Sequence, residues 1–190
     1  MTVLAVLGSN NPQGQTARAA DALLQGAAEQ GGQGEKVLLT EIEIERCRQC
    51  EENGWGICRA EGKCIIEDDF APLVEKIRGA DAVAFVTPVY FSDLSESMRA
   101  FLDRLRRICM HEEGKAGITG KPAVGICVAG GGGGGAPTCA VSMEKVVSRC
   151  GFDVVDMVAV RRQNQDLKRE VLKATGKWLM GYVSSIRAPG

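Results

Sequence analysis

Apolar residues gather in short strand-like runs at Val3–Leu7, Lys36–Leu39, Ala82–Val86, Ala123–Ala129 and Val154–Val160. Between the runs the apolar positions change to helical spacing. Ala17, Ala20, Leu23, Leu24 and Ala27 share one face, as do Phe70, Leu73, Val74 and Ile77. Leu94, Met98, Phe101, Leu102 and Leu105 form a third face, and Met143, Val146, Val147 and Cys150 a fourth. Leu167, Val171, Leu172, Trp178 and Leu179 complete the series. The strand runs are continuous rather than alternating, which predicts a parallel sheet buried on both faces. Strand and helix alternate throughout, so the fold class is α/β, doubly wound. In such sheets ligands bind outside the carboxyl ends of the strands, near a topological switch point. The loops that follow strands are therefore the candidates for a functional site.

The 190 residues suit a single domain over 1–190 with a full central sheet. Basic and acidic residues number 23 and 24, mixed along the chain, for a net charge of −1. No basic stripe points to nucleic acid and no polybasic helix to a membrane surface. The apolar runs fall well short of the ~20 residues that span a bilayer. The first strand begins at the N-terminus without a charged leader, so a cytoplasmic location is expected. Eight cysteines in that compartment are expected to stay reduced, serve redox chemistry or bind metal.

The first run feeds directly into Gly8-Ser9-Asn10-Asn11-Pro12-Gln13-Gly14-Gln15-Thr16 and then a helix. A strand, a small polar loop and a helix start make an anion site: backbone N–H groups converge and the helix dipole favours negative charge. A dinucleotide loop would carry glycines at positions 10 and 13, which are Asn and Gln. A nucleoside-triphosphate loop would place its glycines one residue closer and a lysine where Gln15 stands. What remains is a cradle of hydroxyls and amides without a strong cation, suited to a terminal phosphomonoester. The plain alternative is an ordinary turn with a threonine helix cap.

After the third run comes Thr87-Pro88-Val89-Tyr90-Phe91-Ser92, where an aromatic pair lies beside exposed backbone amides. That combination serves a planar heterocycle; aromatics covering the core are the alternative. After the fourth run come six glycines, Gly130 to Gly135. Such a tract is usually a linker, but inside a domain it lets the backbone approach a ligand closely. A long connection from about 41 to 68 departs from ordinary loop lengths and holds Cys47, Cys50, Cys58 and Cys64.

These motifs, together with Met98-Arg99-Ala100-Phe101-Leu102-Asp103-Arg104, resemble the NAD(P)H-dependent FMN reductases of the flavodoxin-like superfamily. The segment Gly62–Phe70 resembles the branch that contains the iron-sulfur flavoproteins. The resemblance spans nearly the whole chain. It implies a three-layer sandwich with a five-stranded parallel sheet of order 2-1-3-4-5, non-covalent FMN, and a homodimer or homotetramer. It implies that Ser9, Asn11, Gly14, Gln15 and Thr16 hold the FMN phosphate, although an arginine common near Asn10 or Asn11 in relatives is missing. Pro88, Val89, Tyr90 and Phe91 would hold the isoalloxazine and ribityl groups, and Gly130, Gly131 and Gly132 the pyrimidine edge. The implied activity passes electrons from NAD(P)H through FMN to a small-molecule or protein acceptor. No catalytic acid or base is required; Tyr90 and backbone N–H groups are the candidates for polarising the ring. Two alternatives stand beside it. One is an electron-transfer flavoprotein fed by a ferredoxin-type partner, and the other a non-catalytic metal or redox sensor using the cysteine loop.

The cysteine spacing is Cys47-x2-Cys50-x7-Cys58-x5-Cys64. Iron-sulfur flavoproteins resemble this, with the second and third cysteines only two residues apart. Four thiolates can hold a [4Fe–4S] cluster or a structural zinc, or remain as free thiols able to form a Cys47–Cys50 disulfide. The altered spacing keeps the cluster from leading. The loop leaves strand two on the flavin edge, so a redox centre there is expected close to FMN. Trp55 is expected to pack locally, and His111, the only histidine, to be a solvated partner of a helix end. Arg161-Arg162-Gln163-Asn164 follows strand five, where contact with a nucleotide phosphate or a neighbouring subunit competes with a solvated helix start. Cys109, Cys127, Cys139 and Cys150 are expected in the core.

Overall fold

The structure is a computed structural model that describes residues 1–187. Five strands run parallel in the order β2 (Gln33–Leu38), β1 (Thr2–Leu7), β3 (Ala82–Tyr90), β5 (Pro122–Val128) and β6 (Asp153–Val160). A two-residue strand, β4 (Asp93–Leu94), pairs antiparallel with the end of β3. Apart from β4, the order is the predicted 2-1-3-4-5.

Alternate residues of each inner strand serve opposite cores, as the two-residue period of a strand requires. Leu4 and Val6 of β1 join Val83 and Phe85 of β3 under α3 (Phe70–Gly79), α4 (Glu96–Ile108) and α6 (Ala136–Arg149). Val3, Ala5 and Leu7 join Ala82, Ala84 and Val86 under α1 (Gln15–Ala28) and α7 (Gln165–Arg187). Burying each large apolar side chain contributes about 1.5–3 kcal/mol. The helices thus cover both faces. On the second face, α1 and α7 cross so closely that a Cβ on Gly26 would lie 1.9 Å from the Lys173 carbonyl oxygen.

Three boundaries and one helix face differ from the sequence reading. β2 begins at Gln33 rather than Lys36, because an edge strand is set by its pairing with β1 and needs little apolar content. β3 runs on through Thr87–Tyr90, since Pro88 pairs with Val128 and Val89 with Leu94. Leu94 therefore belongs to β4, and α4 starts after Ser95, whose hydroxyl accepts the Met98 N–H. On α7 the buried stripe is Leu172, Gly176, Leu179, Met180 and Val183, whereas Leu167 and Trp178 are 64% and 51% exposed. Trp178 instead stacks on Tyr182. Two single-turn helices complete the chain, α2 (Ile57–Ala60) in the cysteine connection and α5 (Glu112–Lys115) after α4.

Candidate functional site

Three strand-end loops meet at the carboxyl edge of the sheet. The first follows β1. Its Gly8 N–H donates to the Val86 carbonyl across the β1–β3 boundary at 2.9 Å. Gly8 must be glycine, since a Cβ would stand 2.4 Å from the Ser95 hydroxyl and 2.9 Å from Met98 Cβ. Ser9 Oγ accepts the Asn11 N–H, Asn11 Oδ1 accepts the Gln13 N–H, and the Gly14 N–H donates to the Asn11 carbonyl. The loop therefore folds on itself. Helix α1 starts at Gly14 without any side-chain cap and without an acidic residue in its first turn. The first N–H groups of a helix have no partner within it. The threonine cap anticipated as the plain alternative is absent; Thr16 sits inside the first turn and is buried, as is Ser9.

The second loop is the tip of the β3–β4 hairpin. Phe91 and Ser92 both take left-handed backbone angles, φ +51° and +65°, the pattern of a type I′ turn. Neither is glycine, and each such residue costs about 1–2 kcal/mol. The hairpin is braced from behind. Arg99 holds the Asp93 carboxylate at 2.5 and 2.6 Å. Burial would push that carboxyl up, but the Leu94 N–H and the Arg99 guanidinium outweigh it and hold it below its usual range. The Ser95 N–H donates to Thr87 Oγ1 at 3.1 Å, tying the end of β4 back to β3. Pro88 and Val89 are half-buried, Tyr90 more open, and Phe91 fully exposed.

The third loop is the glycine tract. Gly133 N–H donates to the Gly130 carbonyl, closing a turn that leaves Gly130, Gly131, Gly132 and Gly134 exposed. Gly135 at φ +78° packs against the hairpin: a Cβ there would meet Ser92 Cα at 2.7 Å. The tract is pinned from its other side by residues read as a solvated helix start. Arg162 donates to the Gly131 carbonyl and Gln163 Nε2 to that of Gly132, at 3.3 and 2.9 Å. The structure thus gathers Ser9, Asn11, Gly14, Gln15 and Thr16 after β1, Pro88 to Phe91 on the hairpin, and Gly130 to Gly132 after β5 along one edge. Ser92, Gln163 and Arg162 are contacts that sequence patterns did not reveal, because each acts through a loop distant in the chain.

The cysteine connection lies elsewhere than expected. Cys47, Cys50, Cys58 and Cys64 line one narrow pocket of about 20 Å³, room for about one water. Arg104, Arg107 and Ile108 form its wall on α4. Arg104 is nine residues along the helix from Ser95, which touches Gly8, so the pocket sits about 14 Å down α4 from the loop edge. The connection leaves β2 at that edge but folds away along the helix, held by Arg104. This guanidinium is 1% exposed, pairs with Asp68 and donates to the Glu45 carbonyl at 3.1 Å. Its Nε–H is buried without a partner. Among the described residues, no three His, Cys, Asp or Glu side chains are gathered closely enough to hold a metal ion. The cysteines share a pocket without closing into a set of metal ligands.

Trp55 is half-buried against the first core, flanked by the Arg107 and Arg59 guanidiniums at 4.8 and 5.6 Å from its ring. The His111 N–H donates to the Ile108 carbonyl at the end of α4, while its ring caps α5 by accepting the Glu113 N–H on Nδ1. Cys109, Cys127, Cys139 and Cys150 are all buried, as expected. No helix among the described residues is long and apolar enough to cross a membrane.

A parallel five-stranded sheet wrapped on both faces, with three strand-end loops meeting at its carboxyl edge, defines a flavodoxin-like protein. The sequence profile of the NADPH-dependent FMN reductase family matches residues 1–165, and the chain belongs to that family. An iron-sulfur flavoprotein of Methanocaldococcus jannaschii is 31% identical over 131 residues, covering 69% of this chain and 65% of that protein. An iron-sulfur flavoprotein of Methanosarcina thermophila is 29% identical over 104 residues, covering 55% and 52%. The chain thus spans less than two thirds of the length of these relatives. Among solved structures, an NAD(P)H:quinone oxidoreductase from Methanothermobacter marburgensis superposes with a TM-score of 0.68 at 20% identity, covering 94% and 98% of the two chains. A flavone reductase gives 0.73 at 18% identity, covering 100% of this chain and 65% of that one. These structural likenesses bear on the fold. The family is described by its NADPH-dependent reduction of FMN.

Proposed function

We propose that the protein takes electrons from NAD(P)H and passes them, by way of FMN held at the three-loop edge, to a small-molecule or protein acceptor. The observation that carries this reading is the uncapped start of α1, framed by Ser9, Asn11, Gln15 and Thr16. A helix start with open N–H groups, no carboxylate and adjacent hydroxyls is complementary to a phosphomonoester. Ser9 and Thr16, both buried, would hold the phosphate with the first-turn N–H groups. The hairpin residues Pro88 to Tyr90 and the exposed glycines of the tract would bind and orient the ring through backbone groups. When bound, FMN supplies the redox chemistry, accepting a hydride and releasing electrons singly or in pairs. The chain's own part is to fix the ring's position and leave one approach open to substrates. Tyr90, exposed on the hairpin, carries a hydroxyl able to polarise it.

Anaerobically purified protein is expected to show a flavin absorption spectrum and to consume NADH or NADPH with a quinone or ferricyanide present. Protein without flavin affinity would end this reading. The second reading, an electron-transfer flavoprotein fed by a ferredoxin-type partner, draws support from the names of the two archaeal relatives. Rapid oxidation of reduced ferredoxin, with no nicotinamide consumption, would favour it.

A further inference from the structure

Helix α7 carries two apolar stripes, and the core uses only one of them. Leu172, Gly176, Leu179, Met180 and Val183 are buried against the second core. On the opposite side lie Leu167, Val171, Ala174, Trp178 and Gly181, at intervals of four, three, four and three residues. That is the heptad spacing with which one helix meets another. Val171 is half-buried and the other four are exposed. A Cβ on Gly181 would meet nothing, so this side of the helix is open. Exposed apolar residues scattered singly are ordinary, whereas a contiguous row marks an interaction surface. The family profile ends at residue 165, where α7 begins, so the row lies outside the sequence shared with the family.

One flank of the row carries unmatched charge of both signs. Glu170, beside Val171, forms no ion pair among the described residues. Lys177, beside Trp178, has to share the single carboxylate of Glu29 with Lys173, at 2.6 and 2.7 Å. Glu170 and Lys177 are one heptad apart and occupy the same position relative to the row.

We propose that α7 pairs with α7 of a second copy of this chain, antiparallel, about a two-fold axis level with Leu172 and Lys173. This register sets Leu167 against Trp178 of the second copy and Val171 against Ala174 of the second copy. It also brings Glu170 to Lys177 of the second copy, twice, because a two-fold interface repeats every contact. The charges exclude the other registers. A slip of one heptad in either direction sets Lys177 against its own copy or Glu170 against its own copy. A parallel pair sets Glu170 beside Thr175 and Lys177 beside Tyr182, with no ion pair gained. Rim charges of this kind add little affinity but select register and orientation. The overlap covers residues 165–180, about 24 Å of helix.

Sedimentation equilibrium of the full chain across micromolar concentrations tests this. The wild type is expected to associate reversibly to a dimer. Trp178→Glu and Leu167→Glu each place a carboxylate in the row and are expected to be monomeric with unchanged circular dichroism; either one suffices where the other folds poorly. Glu170→Lys, which touches no ion pair of the fold, is expected to weaken the dimer about tenfold by setting two lysines against each other at each flank. A wild type that stays monomeric throughout overturns the proposal. So does a dimer that persists in both glutamate variants, which would mean that the copies meet on another surface. Association of Glu170→Lys as tight as that of the wild type overturns the antiparallel register and the proposal with it.

Discussion

Arg104 and Asp68 form an ion pair almost wholly enclosed by protein, their side chains 1% and 3% exposed and Nη1 to Oδ2 at 2.5 Å. The pair ties α4 to the end of the cysteine connection, and the guanidinium also lies over the Phe70 ring at 4.2 Å. Burial would raise the Asp68 carboxyl. The Arg104 guanidinium and the Glu45 and Phe70 N–H groups outweigh that and hold it below its usual value of 3.8.

Removing one partner leaves the other charge buried alone. Arg104→Met is expected to destabilise the protein by about 3–5 kcal/mol, and Arg104→Met with Asp68→Leu to recover much of that. Urea denaturation of the two single variants and the double variant checks this. A double variant no more stable than either single would show that the pair itself is not the cause.

The pH dependence follows from the sign of the Asp68 shift. Its folded value lies below its unfolded one, so its stabilisation is fully present above the unfolded value and drains away as pH falls through the folded one. From about pH 5 downward, wild-type stability is expected to fall more steeply than that of Asp68→Asn. Parallel curves would remove Asp68 from the acid transition.

The helix start offers the sharpest test of the phosphate cradle. Thr16→Val removes one hydroxyl and is expected to weaken FMN about tenfold or more, as a hydrogen bond to a charged group contributes about 1.5–3 kcal/mol. Gln15→Glu places a carboxylate at the same N-terminus and should weaken FMN further. Titration followed by flavin fluorescence measures both. Riboflavin, which lacks the phosphate, should bind the variants and the wild type alike.

Ser92 sits in a left-handed turn position without being glycine. Ser92→Gly is expected to stabilise the fold by about 1 kcal/mol, a rise in melting temperature of about 2–4 °C. A lower melting temperature would mean that the Ser92 contact with Gly135 outweighs the strain.

The cysteine pocket predicts an order of thiol labelling. Cys50 is exposed, Cys47 and Cys64 half-buried, and Cys58, Cys109, Cys127, Cys139 and Cys150 buried. Alkylation followed by mass spectrometry should modify Cys50 first and Cys47 and Cys64 next. Equal protection of all four loop cysteines, lost on adding a chelator, would show instead that they close around a metal.

Much of this architecture was legible in the residues. The continuous apolar runs demanded a parallel sheet, because a strand covered on both faces has no polar side to show. The switch from strand period to helical period separated the main strands and helices, and the glycine spacing after Leu7 departs from that of a dinucleotide loop. These signals are local, carried by neighbours within a few positions. What only the tertiary structure decided is non-local. β2 owes its start to pairing with β1, and β3 its extra length to pairing with β4 and β5. The cysteine connection leaves the candidate flavin edge because Arg104, buried on α4, draws Asp68 and Glu45 toward it. Gln163 reaches the glycine tract, and Ser92 meets Gly135, through space alone. Period and propensity determine which elements form; pairing, close packing and the enclosure of one charge decide where their loops come to rest.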